Sequence, residues 1–391
     1  MRDVYFVAPV RTAIGKFGGM FKDFKTSDLG VPLVKDVIAQ TGIDPGALDD
    51  VLFGNCFMRT DDINIGRVIG LKAGIPFHVP GATIQRQCSS SMQAAVYAAQ
   101  QIQTGEADMV MVGGIESMSQ APYYLKDARW GKRITHAEMT DALWEGLTDP
   151  ISGLIMGMTA ENLAEKYDIS REEQDVIAAR SHANAARATN KGLFADEILP
   201  IELTKRGKTI VLAKDEHFRE DITEEGLAKL TPAFKKGGTV TAGNSSGLND
   251  GASAMLVASE EAVKKYNLKP LGRLVSHAVA GVEPELMGYG PVPASKRALE
   301  KAGLSLKDIG LLEINEAFAA QYLACEKLLE LDRDITNVNG SGIGLGHPVG
   351  ATGLRIIVSL LHEMKRRKVK YGLASLCVGG GMGKTVIVEG M

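Results

Sequence analysis

The stretch Ile84–Gly114, IQRQCSSSMQAAVYAAQQIQTGEADMVMVGG, runs from an extended segment through a thiol at Cys88 into a helical pattern, then out along an apolar strand that ends in glycines. Its helix and strand return in Thr352–Gly380, TGLRIIVSLLHEMKRRKVKYGLASLCVGG. A second pair agrees with the first. Val31–Asn55 and Val292–Asn315 each hold a helical run, then Gly-Ile or Gly-Leu, a short polar turn and an Asp followed by an apolar strand. Short apolar runs alternating with longer helical patterns are the signature of βαβ units. The expectation is therefore an α/β chain with a mainly parallel sheet, built from two similar βαβ-rich halves. On periodicity alone the alternative stays open that any two βαβ units look alike at this level.

The 391 residues, 45% of them hydrophobic, can bury a sizeable core and exceed the usual size of one compact domain. Between the halves the chain is richer in charge. Ser170 and Glu173, in SREEQDVIAARSHANAARA, are spaced as a capping box. An inserted loop domain is read over 120–236, leaving 1–119 with 237–267 as one half and 268–391 as the other. The 44 basic and 47 acidic side chains leave no electrostatic footprint for nucleic acid or an anionic membrane, so an anionic ligand must be met locally. No apolar run reaches the roughly 18 residues of a membrane span, and DVYFVAPVRT near the start lacks a signal-peptide pattern; a cytoplasmic protein is expected. Cys56, Cys88, Cys325 and Cys377 lie far apart without a CxxC pair, which argues against a metal site and against a dense disulfide framework.

Cys88 sits where a helix begins. Unpaired N–H groups and the positive dipole end stabilise a thiolate there and lower its pKa, which makes the thiol a candidate nucleophile. The small Ser89, Ser90 and Ser91 would let backbone and substrate approach closely. Against this stands the ordinary buried cysteine, which is common. Three later stretches shift the balance. EINEAFAAQ places Asn315 and Glu316 between a strand and a helix, NGSGIGLGHPVGATG places His347 in a glycine-rich turn before a helix, and LCVGGGMG ends a strand at Cys377. Ligands collect at the carboxyl ends of strands in open α/β sheets, so these edges and Cys88 could share one crevice. Neither glycine-rich stretch carries the lysine pattern of a P-loop, which excludes nucleotide hydrolysis.

With these stretches stand APVRTAIGKFGG, GGIESMSQAPY, DEHFR, TVTAGNSSGLNDGASA and MGYGPVPASKRAL, in order along the chain. Together they resemble the thiolase family over nearly the whole length. The resemblance implies a thiolase fold of two halves stacked as α-β-α-β-α layers, with the active site at their junction and a loop domain that binds coenzyme A. It implies acetyl transfer between acetyl-CoA and a second acetyl-CoA, giving acetoacetyl-CoA and CoA, with CoA thioesters as substrates and no cofactor. Cys88 would carry the acetyl group and Cys377 would take a proton from the second acetyl-CoA. His347 and a water held by Asn315 would meet the enolate oxygen, and the N–H groups of Cys88 and Gly379 a tetrahedral oxyanion. Arg219 would lie near the adenine end of CoA and Ser246 near the pantetheine, while Leu147, Met156, Phe234, Met287, Ala317 and Phe318 would line the acyl and pantetheine tunnel. A homodimer or homotetramer is implied. Ser91 and Gln85 depart from the residues usual beside the nucleophile, and Leu154 and Ile155 from the loop of short-chain biosynthetic members. The RQCSS segment is nearer the degradative 3-ketoacyl-CoA thiolases, whereas loop length favours an acetoacetyl-CoA thiolase. Ketoacyl synthases share the fold but use two histidines, and a non-catalytic acyl-CoA or lipid-binding relative would lack the acid–base groups.

Overall fold

The computed structural model describes residues 2–205 and 208–391. The first half holds β1 (Val4–Arg11), α1 (Thr26–Thr41), β2 (Asp50–Gly54), α2 (Ile65–Ala73), β3 (Ala82–Ile84), α3 (Ser90–Thr104) and β4 (Met109–Ser117). The chain then leaves the sheet for an excursion that includes α4 (Met156–Lys166) and α5 (Arg171–Asn190), and returns as β5 (Asn249–Ser259). The second half holds β6 (Pro270–Gly281), α6 (Pro291–Ala302), β7 (Leu311–Ile314), α7 (Ala319–Leu329), α8 (Val349–Arg367), β8 (Tyr371–Val378) and β9 (Met382–Gly390).

These nine strands form one path, β7-β8-β9-β6-β1-β5-β4-β2-β3. Its two ends repeat each other: β2-β4-β5-β1 corresponds to β7-β8-β9-β6, and α3 with β4 corresponds to α8 with β8. The halves also join directly, because β1 pairs with β6, Tyr5 opposite Arg273 and Phe6 opposite Gly272. The expectation of a mainly parallel sheet is corrected. Among the described residues only β2/β3, β2/β4 and β7/β8 are parallel, and the other neighbours on this path are antiparallel. The cause is local in the second half. Gly380 and Gly381 take φ of 80° and 78° and turn β8 straight back into β9, which removes a crossover helix.

Strand residues divide between faces with a period of two. On β4, Val110 and Val112 face a central cluster and Met109 and Met111 an outer one. On β8 and β9, Ala374, Leu376, Val386 and Val388 face the same central cluster, while Leu373 and Ile387 face outward. The central cluster contains α3 and α8, which lie between the two halves of the sheet. α1 covers the outer face of one half, and α6 with α7 that of the other. This gives the expected α-β-α-β-α layering. Helix ends are marked as their residues require: Gly42, Gly105 and Gly303 close α1, α3 and α6 in the left-handed region, and Ser170 with Glu173 forms the capping box on α5.

α3 and α8 touch almost backbone to backbone. A Cβ on Gly353 of α8 would lie 2.7 Å from the Cβ of Met92, and one on Gly114 would lie 2.2 Å from the Cβ of Ser91. Ser91 uses this closeness. Its Oγ accepts the N–H of Leu354 at 2.9 Å, linking the two central helices, and it does not face the cavity described below. Ser91→Gly removes that bond and adds a helical glycine, so it should destabilise by about 1–2 kcal/mol. A thermal or denaturant melt should register the loss, with turnover of the folded enzyme little changed.

Candidate active site

The turn before α3 is built by its own polar groups. The N–H of Ser89 donates to the carbonyl of Arg86 and that of Ser90 to Gln87, while Ser90 Oγ accepts the N–H of Arg86 at 2.9 Å. Gln87 has φ of 45°, an uncommon conformation for a residue with a side chain, and it immediately precedes Cys88. Ser89, Ser90 and Ser91 are fully buried. They close the turn and let backbones approach, but they do not line a substrate path, which corrects that part of the sequence reading.

Cys88 opens onto a cavity of about 590 Å³. His347 and Cys377 line the same cavity, as do Leu147, Met156, Phe234, Ser246, Met287, Ala317 and Phe318. The lower wall is apolar: Cys377 packs with Met287 and Ala317 against Met156 and Phe318, and Phe234 meets Phe318 edge-on with ring centroids 6.2 Å apart. Ile155 also lines the cavity, whereas Leu154 does not.

Each catalytic candidate has its own setting. Burial pushes the Cys88 thiol up to about 11, and the N–H groups of Gly379 and of Cys88 itself, both directed at the sulfur, only partly oppose it. The lowering expected from the helix start is present in these N–H groups but is outweighed by the loss of water. Cys377 is likewise raised by burial. His347 is pushed down to about 3 by burial and by the Arg355 guanidinium, so its imidazole is neutral. Thr352 Oγ1 lies 2.9 Å from the carbonyl of Pro348 and 2.7 Å from His347 Nδ1. With the hydroxyl donating to that carbonyl, Nδ1 is the donor in its contact with Thr352. The lone pair is left on Nε2, which makes His347 a proton acceptor.

Asn315 and Gly379 are not part of the cavity lining. Asn315 is fully buried, its backbone N–H donates to the carbonyl of Ser375, and among the described residues neither side-chain amide atom has a hydrogen-bond partner. A buried amide with no protein partner calls for water or ligand. Arg219 lies apart from the three catalytic candidates. It lines a second cavity of about 780 Å³ with His182 and His217. Phe17, Ser245, Gly247 and Leu248 line both cavities, so the two are contiguous. An elongated ligand with an anionic end at Arg219 and a reactive end at Cys88 would pass Ser246. Sequence reading missed Phe17, Tyr123, Trp144, His182 and Leu248. Phe17, Tyr123, His182 and Leu248 lie in stretches singled out for other reasons, and Trp144 lies in none of them.

The thiolase N-terminal domain family matches residues 4–261 and the thiolase C-terminal domain family matches residues 268–390. The chain belongs to the thiolase family. It is 49% identical to human mitochondrial 3-ketoacyl-CoA thiolase over 392 residues, covering 100% of this chain and 98% of that protein. Its fold superimposes on the acetyl-CoA acetyltransferase of Bacillus anthracis with a TM-score of 0.98 at 54% identity, covering 100% and 99% of the two chains. It superimposes on the human mitochondrial thiolase in complex with CoA with a TM-score of 0.96 at 48% identity, covering 100% and 98%. This thiolase is thus an acyltransferase whose two thiols and one histidine share a cavity.

The neutral thiol sets a pH signature. Below about pH 11 the Cys88 thiolate fraction rises roughly tenfold per unit. In the enzyme without substrate, iodoacetamide labelling of Cys88 should climb through pH 9 without levelling, and acetyl-CoA should protect that residue. A plateau below pH 8 would contradict the assignment.

Proposed function

We propose that this thiolase is an acetyl-CoA C-acetyltransferase that joins two acetyl-CoA molecules reversibly into acetoacetyl-CoA and CoA. The observation that carries the reading is the convergence of Cys88, His347 and Cys377 on one largely apolar cavity. His347 Nε2 takes the Cys88 proton as sulfur attacks the thioester carbonyl, so no free thiolate has to persist at Cys88 in the dry site. The product is acetyl-Cys88, a thioester of similar energy; the departing CoA sulfur takes the Cys377 proton and leaves as the thiol, which makes Cys377 a thiolate base, while His347 keeps the Cys88 proton until that sulfur is freed again. Cys377 then removes a proton from the methyl carbon of a second acetyl-CoA, while His347 and a water on the unpaired amide of Asn315 meet the enolate oxygen. The enolate carbon attacks acetyl-Cys88. The N–H groups of Cys88 and Gly379 receive the tetrahedral oxyanion, and its collapse frees the Cys88 sulfur. CoA lies across both cavities, its adenosine end near Arg219 and its pantetheine near Ser246, and no further cofactor takes part.

The roles of the two thiols separate by experiment. Cys377→Ala should still accept acetyl on Cys88 slowly, yet should not exchange the methyl protons of bound acetyl-CoA with deuterated water. Exchange at the native rate would assign the base elsewhere.

Chain length decides the subtype. Met156, Met287 and Phe318 line the cavity beside Cys377, and if the acyl chain ends against them each added methylene must displace one of them. Overpacking of that kind costs about 1–3 kcal/mol, so kcat/KM for acetoacetyl-CoA should exceed that for 3-ketohexanoyl-CoA by at least about tenfold. One observation favours the alternative, a 3-ketoacyl-CoA thiolase of broader range: the cavity also extends past Leu143 to Tyr123 and Trp144, where an apolar chain would be accommodated. A flat or rising profile to eight carbons would establish that second reading.

A further inference from the structure

We propose that Glu116 is a positioning residue, one carboxylate that sets the nucleophile turn and the histidine helix at their working separation. Glu116 is the penultimate residue of β4 and is fully buried. Its Oε1 accepts Asn55 Nδ2 at 2.7 Å and the N–H of Phe57 at 3.1 Å; its Oε2 accepts the N–H of Cys56 at 3.0 Å and that of Gly350 at 2.8 Å. Residues 55–57 follow β2 in the first half. Gly350 lies in the first turn of α8, three residues after His347. The carboxylate therefore ties the two halves together beside the cavity.

The link to the nucleophile is short. Cys56 Sγ donates to Gln87 Oε1 at 3.2 Å, and Gln87 holds the left-handed conformation that turns the chain into Cys88. The Gln87 side chain also touches Gly379, where an added Cβ would lie 3.6 Å from its Cγ. On the other side there is no slack. A Cβ on Gly350 would come within 2.7 Å of Glu116 Oε2 and 2.8 Å of the Cys56 nitrogen. Among the described residues no cation pairs with Glu116; burial pushes its carboxyl up to about 7, and the N–H donors alone oppose that rise. Such an arrangement is costly to stability and is better explained by the geometry it enforces than by net stabilisation. Glutamine cannot replace it, because its NH₂ would face N–H donors that now meet an oxygen.

The proposal rests on the roles given above to Cys88 and His347, and its test keeps the two apart. Labelled acetyl-CoA first counts the chains that accept acetyl on Cys88. Failure of the native enzyme to do so overturns those roles, and the positioning role of Glu116 with them. For Glu116→Gln, kcat per acetylatable site should fall by about 10–10²-fold, with KM for acetoacetyl-CoA within about twofold, as expected when reacting groups are displaced by a fraction of an ångström to an ångström. Cys56→Ala, which removes the bond to Gln87 and a longer contact from Gln85 Nε2 but leaves the Glu116 hydrogen bonds in place, should lower kcat per site in the same direction by a smaller factor. A Glu116→Gln enzyme with fewer acetylatable sites or a lower melting temperature, but native kcat per site, shows a merely structural carboxylate and overturns the proposal. Should Glu116→Gln fail to fold, native kcat per site in Cys56→Ala overturns it equally.

Discussion

The close packing of α3 against α8 is the constraint on which the rest of this thiolase depends. α8 is buried along most of its length between the two halves of the sheet, and α3 everywhere except a stripe at Tyr97, Gln100 and Thr104. The two can approach only where a side chain vanishes. Gly353 provides that absence and Met92 occupies the space, while Gly114 on β4 lets Ser91 of α3 sit against the strand. The consequence for function is direct. α3 begins two residues after Cys88 and α8 begins two residues after His347, so locking the helices side by side brings their starting turns to one cavity.

Electrostatics at that cavity are governed by dryness more than by helix ends. A helix start offers Cys88 a few N–H groups, yet removing the thiol from water raises it to about 11, and the same removal takes His347 down to about 3. The two shifts act together. A neutral thiol beside a neutral imidazole avoids an ion pair whose desolvation its own Coulomb attraction would barely offset. Charge is then generated only when a thioester is present to receive it, where N–H groups of Cys88 and Gly379 already point.

Much of this architecture was legible in the chain. The paired stretches at Ile84–Gly114 and Thr352–Gly380 correspond to equivalent helix and strand pairs, because a strand buried on both faces reads as a short continuous apolar run bounded by glycines and a buried helix as a longer run before it. Strand direction was not legible. A two-glycine hairpin at Gly380 and Gly381 and a long crossover both look like glycine punctuation until the loop length is known. Among the site residues, Cys88, His347 and Cys377 stood at strand or helix ends that a sheet gathers together. The roles of the three serines were misjudged for a different reason. Their small size reads equally as room for substrate and as room for another backbone, and here the other backbone occupies it.

The excursion between β4 and β5 explains why subtype is harder to read than chemistry. The catalytic groups sit on elements whose positions follow from core packing, and core packing leaves a periodic trace. Leu147, Ile155, Met156 and Phe234, by contrast, come from short segments joined by turns, and they meet Met287 and Phe318 only through the excursion's own fold. A Leu or Ile there carries the same hydrophobic signature whether it closes the cavity or opens a path beside it. What separates a four-carbon cavity from a longer one is where a few such side chains end, a matter of one or two methylene lengths. That quantity belongs to the packed structure of the excursion and has no counterpart in the spacing of residues along it.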